Sequence, residues 1–498
     1  MQTLDLIIIF GYLIGITAFG IWYAGKQETT EDYFVGDRNV PWWAIAMSIV
    51  ATETSTITFI SVPGIAFAKG GDFQFLQLVF GYLLGRVVIS LVFIPLYFSG
   101  QLQTVYQLLG DRFGGKVKVL ASGLFVIMRN IADGIRLLLT AFVLAAVYTA
   151  FQPSTDPTTV IVGSILILGI VMIVFTFYGG IEAVIWIEVV QLVIYIGGAV
   201  AAAVVLIYSI DGGLSGAIDI GRQFDKFTLF DFSLDFAKTY TFWGGLIGGC
   251  FLTMSTHGTD QFLVQRYLCT DKPSAAITAL MTSGAVVLGQ FIGFLFIGVL
   301  LFAFYAPYEM PGYAEATGAF PFTGGDKVFP DFITQKMPTG LSGLVIAAIF
   351  AAALSSSLNS IASTAVNDIY KPFAKDVSEK KLMRIAGILT VIVGIVQIVI
   401  AISLKDAGNS ALNMALAVAS LINGPILGVF LVGAFLKKAK EIHALIGMAA
   451  SICLMLYVLL GTSIAWPWYA LIGSMATVTV AFIATLLISN SKNDEISN

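Results

Sequence analysis

The chain has 498 residues, of which 58% are hydrophobic and only 11% are charged. Because a soluble globular protein is about 45–50% apolar and about 25% charged, this composition excludes a soluble fold and indicates a polytopic membrane protein. A net charge of −4 without a basic stripe gives no support to nucleic-acid binding. The alternating segments of roughly 10 residues that mark an outer-membrane barrel are absent, so we expect an all-α integral membrane protein.

Apolar runs long enough to cross a bilayer predict about thirteen transmembrane helices. They cover residues 4–23, 42–67, 73–98, 117–149, 158–178, 181–208, 241–267, 274–306, 340–368, 382–404, 409–436, 441–461 and 466–489. The first run lacks the basic segment and the small-residue cleavage site of a signal peptide, so we expect it to remain as a span. Residues 99–116 are amphipathic rather than loop-like.

Lys and Arg residues are concentrated on one side of these spans. With the N-terminus outside, the inward connections carry roughly sixteen of them and the outward connections roughly seven. This bias predicts an outside N-terminus and a cytoplasmic C-terminus, and the short loops suit a bacterial plasma membrane, that is, the inner membrane. We expect each of the two long outward connections, 209–240 and 307–339, to hold a short surface helix.

The second predicted helix carries six polar side chains near its middle, between Thr52 and Thr58. Polar groups in hydrocarbon are expensive, and they usually face a cavity or one another. A discontinuous helix explains them, because its unwound carbonyl groups can bind a cation and its hydroxyls a substrate. The alternative is a buried helix whose Ser and Thr hydroxyls bond to carbonyls one turn back, and Glu53 then still needs a partner or water.

The seventh predicted helix is interrupted in a similar way, at Gly248-Gly249 and over residues 255–261. Interrupted hydrophobic segments at corresponding places in two halves point to a transporter's midplane site. The helix count then accommodates two five-helix repeats with extra helices at both ends. The divisions are 1–41 (an extra N-terminal helix and inner loop), 42–208 (first repeat), 209–240 (outer loop), 241–436 (second repeat) and 437–498 (two C-terminal helices and a cytoplasmic tail).

The ninth predicted helix contains a run of small residues from Ala352 to Ser360. Such a run permits close packing of two helices. It also offers the hydroxyls of Ser355 and Ser356 to a hard cation such as sodium, which prefers neutral or anionic oxygen ligands. The residues themselves leave both interpretations open.

Ionisable residues in the third and fourth predicted helices have structural and functional interpretations. Arg129 and Asp133 are four residues apart and can pair on one helix face. Arg136, one turn later, belongs to the same structural network or meets an anionic substrate. Arg86 is expected to snorkel or to form a structural pair.

The remaining buried ionisable residues do not form an enzyme's active site. Glu188 is either a buried cation ligand or a charge at the cytoplasmic end of its helix. His257 is either a satisfied hydrogen-bonding residue or a proton switch. The sequence has no phosphate-binding glycine loop, no metal-ligand spacing and no nucleophile elbow, so we do not expect an enzyme.

Five stretches of the sequence, taken in order, resemble the sodium/solute symporter family, which includes sodium–glucose, sodium–iodide and bacterial sodium–sialic acid symporters. They are residues 51–64, 177–188 (FYGGIEAVIWIE), 258–266 (GTDQFLVQR), 367–370 (NDIY) and 424–425 (GP). The resemblance covers almost the whole chain. It implies the LeuT-like five-plus-five inverted repeat, alternating access and Na+ as the coupled ion.

The resemblance also implies a sodium site between the second and ninth helices. Its ligands fall on Ala51, Thr54, Ala352, Ser355 and Ser356. Glu188 stands in the place of an aspartate at the family's second sodium site, which makes it a candidate ligand of a second cation. Between the family's anchor positions around Gly343 and Asn359, the chain is about three residues shorter than its relatives.

The family's substrate contacts imply a further set of candidates. They are Ser55, Thr58, Phe73, Gln77, Thr256 and His257. Gln77 matches a position where relatives place a glutamate or glutamine. Glu53, Arg136 and Asp260 are candidates for a substrate or coupling charge.

Departures from the family pattern bear on specificity. The sugar-binding glutamine of glucose cotransporters falls on Leu416, and the carboxylate-binding arginine of sialic acid symporters falls nearer Ala132 than Arg136. Glu53 stands where relatives carry neutral residues. The residues therefore support neither glucose-like nor sialic-acid specificity.

We expect a sodium-coupled secondary active symporter that imports a small polar organic solute (a sugar, sugar acid or carboxylate) and works as a monomer in the lipid bilayer. One alternative is a proton-coupled symporter of the same fold, motivated by Glu53 and His257. Another is a channel or a sensor, although a sensor would be expected to carry a long soluble output domain.

Overall fold

The structure is a computed structural model, and it describes residues 2–23, 29–54, 56–100, 102–152, 154–305, 325–353, 357–374, 377–405 and 411–494. The α-helices in these residues are α1 (Thr3–Tyr23), α2 (Thr30–Phe34), α3 (Trp42–Glu53), α4 (Thr56–Phe67), α5 (Leu76–Tyr97), α6 (Gln107–Phe113), α7 (Gly115–Phe151), α8 (Pro157–Ser209), α9 (Gly213–Gln223), α10 (Gly249–Gly258), α11 (Gln261–Tyr267), α12 (Pro273–Tyr305), α13 (Val328–Gln335), α14 (Leu341–Ala353), α15 (Leu358–Thr364), α16 (Glu379–Ser403), α17 (Ala411–Phe435), α18 (Glu441–Gly461) and α19 (Tyr469–Asp494). Short π-helices precede α10, at Gly244–Gly248, and follow α15, at Ala365–Tyr370.

By length and composition, eight helices of the described chain can cross a membrane, and a ninth span results if α3 and α4 form one bent segment. This count is smaller than the predicted thirteen because several predicted spans are interrupted. Moreover, α8 joins the predicted spans 158–178 and 181–208 into 53 residues, and Gly180 between them has non-helical angles (φ 58°, ψ −175°). Glycine adopts a positive φ without the steric cost of a side chain.

The second predicted span is broken where its polar residues concentrate. Helix α3 ends at Glu53, Thr54 is extended (φ −89°, ψ 99°), and α4 starts at Thr56. The axes of Trp42–Glu53 and Thr58–Phe67 differ in direction by 61°. The prediction of a discontinuous helix is therefore confirmed.

The seventh predicted span is also broken, but only at one of the two predicted places. Thr259 leaves the helical conformation (φ −135°, ψ −4°), and Asp260 caps the new helix α11. Gly248 and Gly249 keep helical angles, and the π-helix Gly244–Gly248 passes directly into α10 there, so the predicted interruption is a change of helix type without a break. These glycines serve close packing instead: a Cβ atom on Gly248 would lie 2.5 Å from the Pro467 carbonyl oxygen, and one on Gly249 would lie 2.6 Å from that of Leu78.

Helices α5 and α10 approach each other through glycines on both sides. A Cβ atom on Gly85 would lie 2.7 Å from the Cys250 carbonyl oxygen, and one on Gly81 would lie 2.8 Å from the Cys250 amide nitrogen. Only residues without a side chain allow this separation. The close approach brings Arg86 of α5 within reach of His257 of α10.

The connections contain the short helices that the sequence suggested. Helices α9 and α13 lie in the two long connections 209–240 and 307–339, and α6 lies within the amphipathic stretch 99–116. Helix α2 was not predicted, although Thr29 and Asp32 form a capping box, which is a recognisable helix-start pattern.

The connection after α9 is tied to the end of the broken second span. Lys226 Nζ donates hydrogen bonds to the carbonyl oxygens of Ala66, Phe67 and Ala68, over 3.0, 3.3 and 2.7 Å. A cation at this position complements the negative end of the helix dipole of α4. Burial lowers the pKa of Lys226 to about 8.

Candidate functional site

The break after α3 lies against three other helices. The Thr54 hydroxyl lies 2.9 Å from Gln290 Oε1 of α12. The Thr56 hydroxyl donates to the Ile349 carbonyl oxygen of α14 over 3.2 Å and lies 3.2 Å from the Thr140 hydroxyl of α7. Helix α3 stops at Glu53, and the Val50 carbonyl oxygen of its last turn accepts hydrogen bonds from both the amide and the hydroxyl of Thr54. Carbonyl groups at the negative end of a helix are suited to bind a cation.

The predicted sodium ligands lie at this break in part. Ala51 is buried in the last turn of α3, and Thr54 directly follows that helix. Ala352 lies near the end of α14, three residues after the carbonyl that contacts Thr56. Ser355 and Ser356 lie outside the described residues, as does the predicted substrate ligand Ser55.

Glu53 is the centre of a cluster of polar side chains beside the break. Its carboxylate forms an ion pair with Arg86 of α5. Arg86 Nη2 also lies 3.3 Å from His257 Nε2, which in turn lies 3.4 Å from Glu53 Oε2. His257 Nδ1 lies 3.0 Å from the Thr256 hydroxyl, and Arg86 Nε lies 3.5 Å from the Ser283 hydroxyl. The predicted residues Glu53, Thr256 and His257 are thus brought together around one arginine.

Glu188 lies in a second, fully buried cluster. Its carboxylate forms an ion pair with Arg266 of α11 and accepts hydrogen bonds from the hydroxyls of Ser48 and Thr52. Arg266 Nε donates to Ser48 Oγ over 2.9 Å. The carboxylate and the guanidinium are each at most 1% exposed. Glu188, which the sequence suggested as a ligand of a second cation, is therefore paired with the Arg266 guanidinium in this structure.

Arg136 and Asp260 belong to a third cluster, which joins α7 to α11. Arg129 contacts Asp133 over 3.0 Å and Asp260 over 3.2 Å, and Arg136 lies 3.5 Å from the other oxygen of Asp133. The predicted pairing of Arg129 with Asp133 is confirmed. The Phe262 ring packs beneath Arg129 at 4.0 Å from the guanidinium carbon to the ring centre.

Phe73 and Gln77 face the connection after α9 instead of the three clusters. Gln77 Oε1 accepts a hydrogen bond from the Asp231 amide over 2.8 Å, and its Nε2 donates to the Gln74 carbonyl over 3.1 Å. The Phe73 ring packs edge-on against Phe227. Thr58 is buried in α4, four residues after the break.

Three residues beside the predicted sites were missed as site residues from the sequence. Arg86 and Arg266 neutralise the two glutamates, and Gln290 contacts Thr54. A signal existed for the arginines, since a charge inside a span needs a partner of opposite charge. The sequence alone does not show which glutamate each arginine contacts, because the partners are far apart along the chain.

Comparisons with known proteins agree with this architecture. The pattern of the "Sodium:solute symporter family" matches residues 33–451. The chain is 32% identical to the sodium/sialic acid symporter NanT of Aliivibrio fischeri over 99% of the chain and 95% of that protein. It is 28% identical to the human sodium/iodide cotransporter, over 91% of the chain and 69% of that protein.

Solved structures give the same result. A substrate-bound, outward-open structure of a Na+-coupled sialic acid symporter superposes with a TM-score of 0.84 at 31% identity, covering 98% of both chains. Mhp1, a transporter of the nucleobase-cation-symport-1 family, superposes with a TM-score of 0.54 at 13% identity, covering 92% of this chain and 95% of that one, which shows a likeness of fold alone. The chain belongs to the sodium:solute symporter family, and sodium is its coupled ion.

Proposed function

We propose that the protein imports a small polar organic solute, of the class of sugars, sugar acids or carboxylates, together with sodium by alternating access. The observation that carries this proposal is the break between α3 and α4, where the negative end of α3 and the hydroxyls of Thr54 and Thr56 meet α7, α12 and α14. A site at the middle of a span, built from unwound backbone, suits a transported ion.

Sodium binds between the last turn of α3 and the end of α14 in this proposal. Its ligands are Ala51, Thr54, Ala352, Ser355 and Ser356. Bound sodium orders the break and favours the conformation that accepts solute. Sodium and solute then raise each other's affinity by the same factor, because coupling free energies are reciprocal.

In this proposal, the change to the inward-open state separates contacts between α11 and its neighbours. Asp260 pairs with Arg129 of α7, and Gln265 Nε2 donates to Asn359 Oδ1 of α15 over 2.8 Å. These bonds join an interrupted span of the second repeat to two other helices. Their rupture and reformation would accompany each transport cycle.

The wider architecture of the proposal follows the family. It comprises thirteen spans, with one extra helix before and two after a five-plus-five inverted repeat. The protein is a transporter rather than an enzyme, and it works as a monomer in the bacterial inner membrane with its N-terminus outside and its C-terminus in the cytoplasm. The roughly sixteen Lys and Arg residues of the inward connections support this orientation.

Thermal unfolding of the purified protein across a panel of solutes tests the proposal, with sodium chloride compared against choline chloride. A ligand that binds the native state raises the unfolding midpoint by mass action. We expect at least one sugar, sugar acid or carboxylate to raise the midpoint in sodium and to have little effect in choline. Equal stabilisation in both salts would contradict sodium coupling.

Coupling to protons in addition to sodium is the second candidate, and one contact favours it. His257 Nε2 lies 3.4 Å from Glu53 Oε2, so a proton taken up by His257 would be stabilised by that carboxylate. Sodium-driven uptake into proteoliposomes that is accelerated by an imposed inward pH gradient would support this candidate. Sodium-driven uptake that is unaffected by the pH gradient would exclude it.

A further inference from the structure

We infer that Glu53 Oε1 accepts hydrogen bonds from hydroxyl groups of the solute, which makes the transported solute a neutral polyhydroxylated compound. This inference rests on the proposed import function and narrows its substrate class. It follows from the way in which Arg86 and His257 use the other oxygen of the same carboxylate.

Arg86 leaves no positive charge available for an anionic solute. Its side chain is 1% exposed, and its Nη2 group contacts both Glu53 and His257. Its Nη1 donates to the Tyr82 carbonyl over 3.4 Å, and its Nε faces Ser283. A Cβ atom on Gly284 would lie 2.8 Å from Arg86 Cδ, so the neighbouring helix closes around the arginine stem. The guanidinium is therefore fully engaged by neighbouring protein groups.

The hydrogen bonds of His257 are consistent with a neutral ring. The Thr256 hydroxyl lies 3.1 Å from the Leu252 carbonyl oxygen, to which it donates, so its oxygen can accept from His257 Nδ1. With the proton on Nδ1, His257 Nε2 becomes an acceptor for Arg86 Nη2. The cluster then holds one negative and one positive charge and is neutral overall.

Glu53 keeps one oxygen open beside the break. Oε2 receives Arg86 and faces His257, whereas Oε1 has no hydrogen-bond partner in the described part of the chain. The side chain is 14% exposed. Glu53 is the last residue of a 12-residue helix, which places it about 18 Å along the helix axis and deep within a hydrocarbon core of roughly 30 Å. A charge exposed at this depth borders a polar cavity, because lipid would not solvate it.

A second unsatisfied group lies close by. Gln290 contacts Thr54 through one end of its amide, and the other end is buried without a partner in the described residues. Buried polar groups normally find partners, so an open carboxylate oxygen and an open amide end near Thr54 indicate a polar ligand. A hydroxyl suits both groups, because it can donate to Glu53 and can pair with either end of an amide.

The charges around the break select against ionic solutes. A solute carboxylate placed against Glu53 would meet a like charge, and Arg86 is already paired. A solute cation would be repelled by sodium bound at the adjacent residues, since unit charges interact strongly at short range in a medium of low polarity. A neutral solute with several hydroxyls meets neither repulsion.

The test uses purified protein and four probes, namely myo-inositol and D-galactose as neutral polyols, and L-lactate and N-acetylneuraminate as carboxylates. Thermal unfolding is followed in sodium and in choline for the wild type and for Glu53→Gln/Arg86→Met. Removing both charges together avoids an unpaired buried ion, and the shift produced by sodium alone shows that the variant is folded. Glu31→Gln/Arg38→Met, which removes a peripheral pair 3.1 Å apart, is the matched control.

We expect a polyol to raise the midpoint in sodium, with an apparent affinity that falls about tenfold or more in Glu53→Gln/Arg86→Met and stays unchanged in the control. Stabilisation by the carboxylates alone, or equal polyol affinity in the wild type and the double variant, would overturn the inference while leaving sodium symport standing. Polyol stabilisation that is as large in choline as in sodium, and is lost in the double variant, would contradict sodium coupling and retain the contact with Glu53.

Discussion

Two glutamate–arginine pairs involve residues of α3, and they differ in how many hydrogen bonds the carboxylate accepts. In the pair of Glu188 with Arg266, the hydroxyls of Ser48 and Thr52 and the guanidinium engage both oxygens, and the carboxylate is 1% exposed. In the pair of Glu53 with Arg86, one oxygen stays open and the side chain is 14% exposed. A glutamate–arginine pair is therefore fully enclosed by protein groups at Glu188, whereas at Glu53 it leaves one carboxylate oxygen accessible.

The difference shows that a charged residue in a span does not reveal its role by its presence alone. Both glutamates satisfy the expectation that an intramembrane charge has a partner. They differ in whether a carboxylate oxygen remains without a hydrogen bond after the arginine is paired. A ligand can bind only to such an unpaired oxygen.

Among the substitutions that test the difference between the two pairs, Glu188→Gln should lower the stability most. It leaves the Arg266 guanidinium buried without its carboxylate, and breaking a buried ion pair in this way costs about 3–5 kcal/mol of stability. We expect a marked fall in the unfolding midpoint, in sodium and in choline alike. Thermal unfolding of the detergent-solubilised variant measures it.

The double variant Glu188→Gln/Arg266→Met is the control for that experiment. It removes both charges, so the midpoint should recover most of the loss. If Glu188→Gln left the midpoint unchanged in choline and abolished part of the sodium response, Glu188 would instead be a ligand of a second cation.

Ser356→Ala should produce an intermediate effect, confined to sodium. Loss of one hydroxyl ligand is worth about 1.4 kcal/mol, which corresponds to roughly tenfold weaker sodium binding. By reciprocity, solute affinity at subsaturating sodium should fall as well. Titration of the unfolding midpoint with sodium, with and without solute, measures both changes.

Ser357→Ala is a matched control one residue away. Ser357 is buried and its hydroxyl donates a hydrogen bond to Asp133, so the variant loses that hydrogen bond and keeps every proposed sodium ligand. Its sodium affinity should equal that of the wild type. A larger loss of sodium affinity in Ser357→Ala than in Ser356→Ala would shift the sodium site along the chain.

Local patterns in the sequence were sufficient to predict where most of the long helices lie and the break in the second predicted span. Apolar runs set the helices, and six polar residues between Thr52 and Thr58 mark a place where a continuous lipid-facing helix is unfavourable. The surface helices α9 and α13 also lie where long polar connections predicted them. Each of these features depends on neighbours in sequence.

The partners of the charged residues could not be predicted in the same way. Arg86 is 33 residues from Glu53, and Arg266 is 78 residues from Glu188. Arg86 and His257 meet because glycines allow α5 and α10 to approach closely. The sequence shows where the glycines are, but it does not show which helix each of them contacts. For the same reason, Gly248-Gly249 suggested a break where the structure has close packing.

Gly284→Ala should have the smallest effect and tests the open pair. The added Cβ would lie 2.8 Å from Arg86 Cδ, 2.9 Å from Leu83 Cδ2 and 3.3 Å from Arg86 Nε, so both side chains of α5 have to move. A displacement that takes a side chain out of its preferred rotamer costs about 1 kcal/mol. We expect roughly fivefold weaker solute binding with unchanged sodium affinity, measured as the solute-dependent shift of the unfolding midpoint in sodium.

Gly289→Ala and Gly293→Ala lie on the same helix and separate this effect from a general change in α12. A Cβ atom at either position meets nothing within 4 Å in the described structure. Both variants should bind solute as the wild type does. If Gly284→Ala also bound solute normally, the position of Arg86 would not matter for the solute, and the open pair would have the same purely structural role as the closed one.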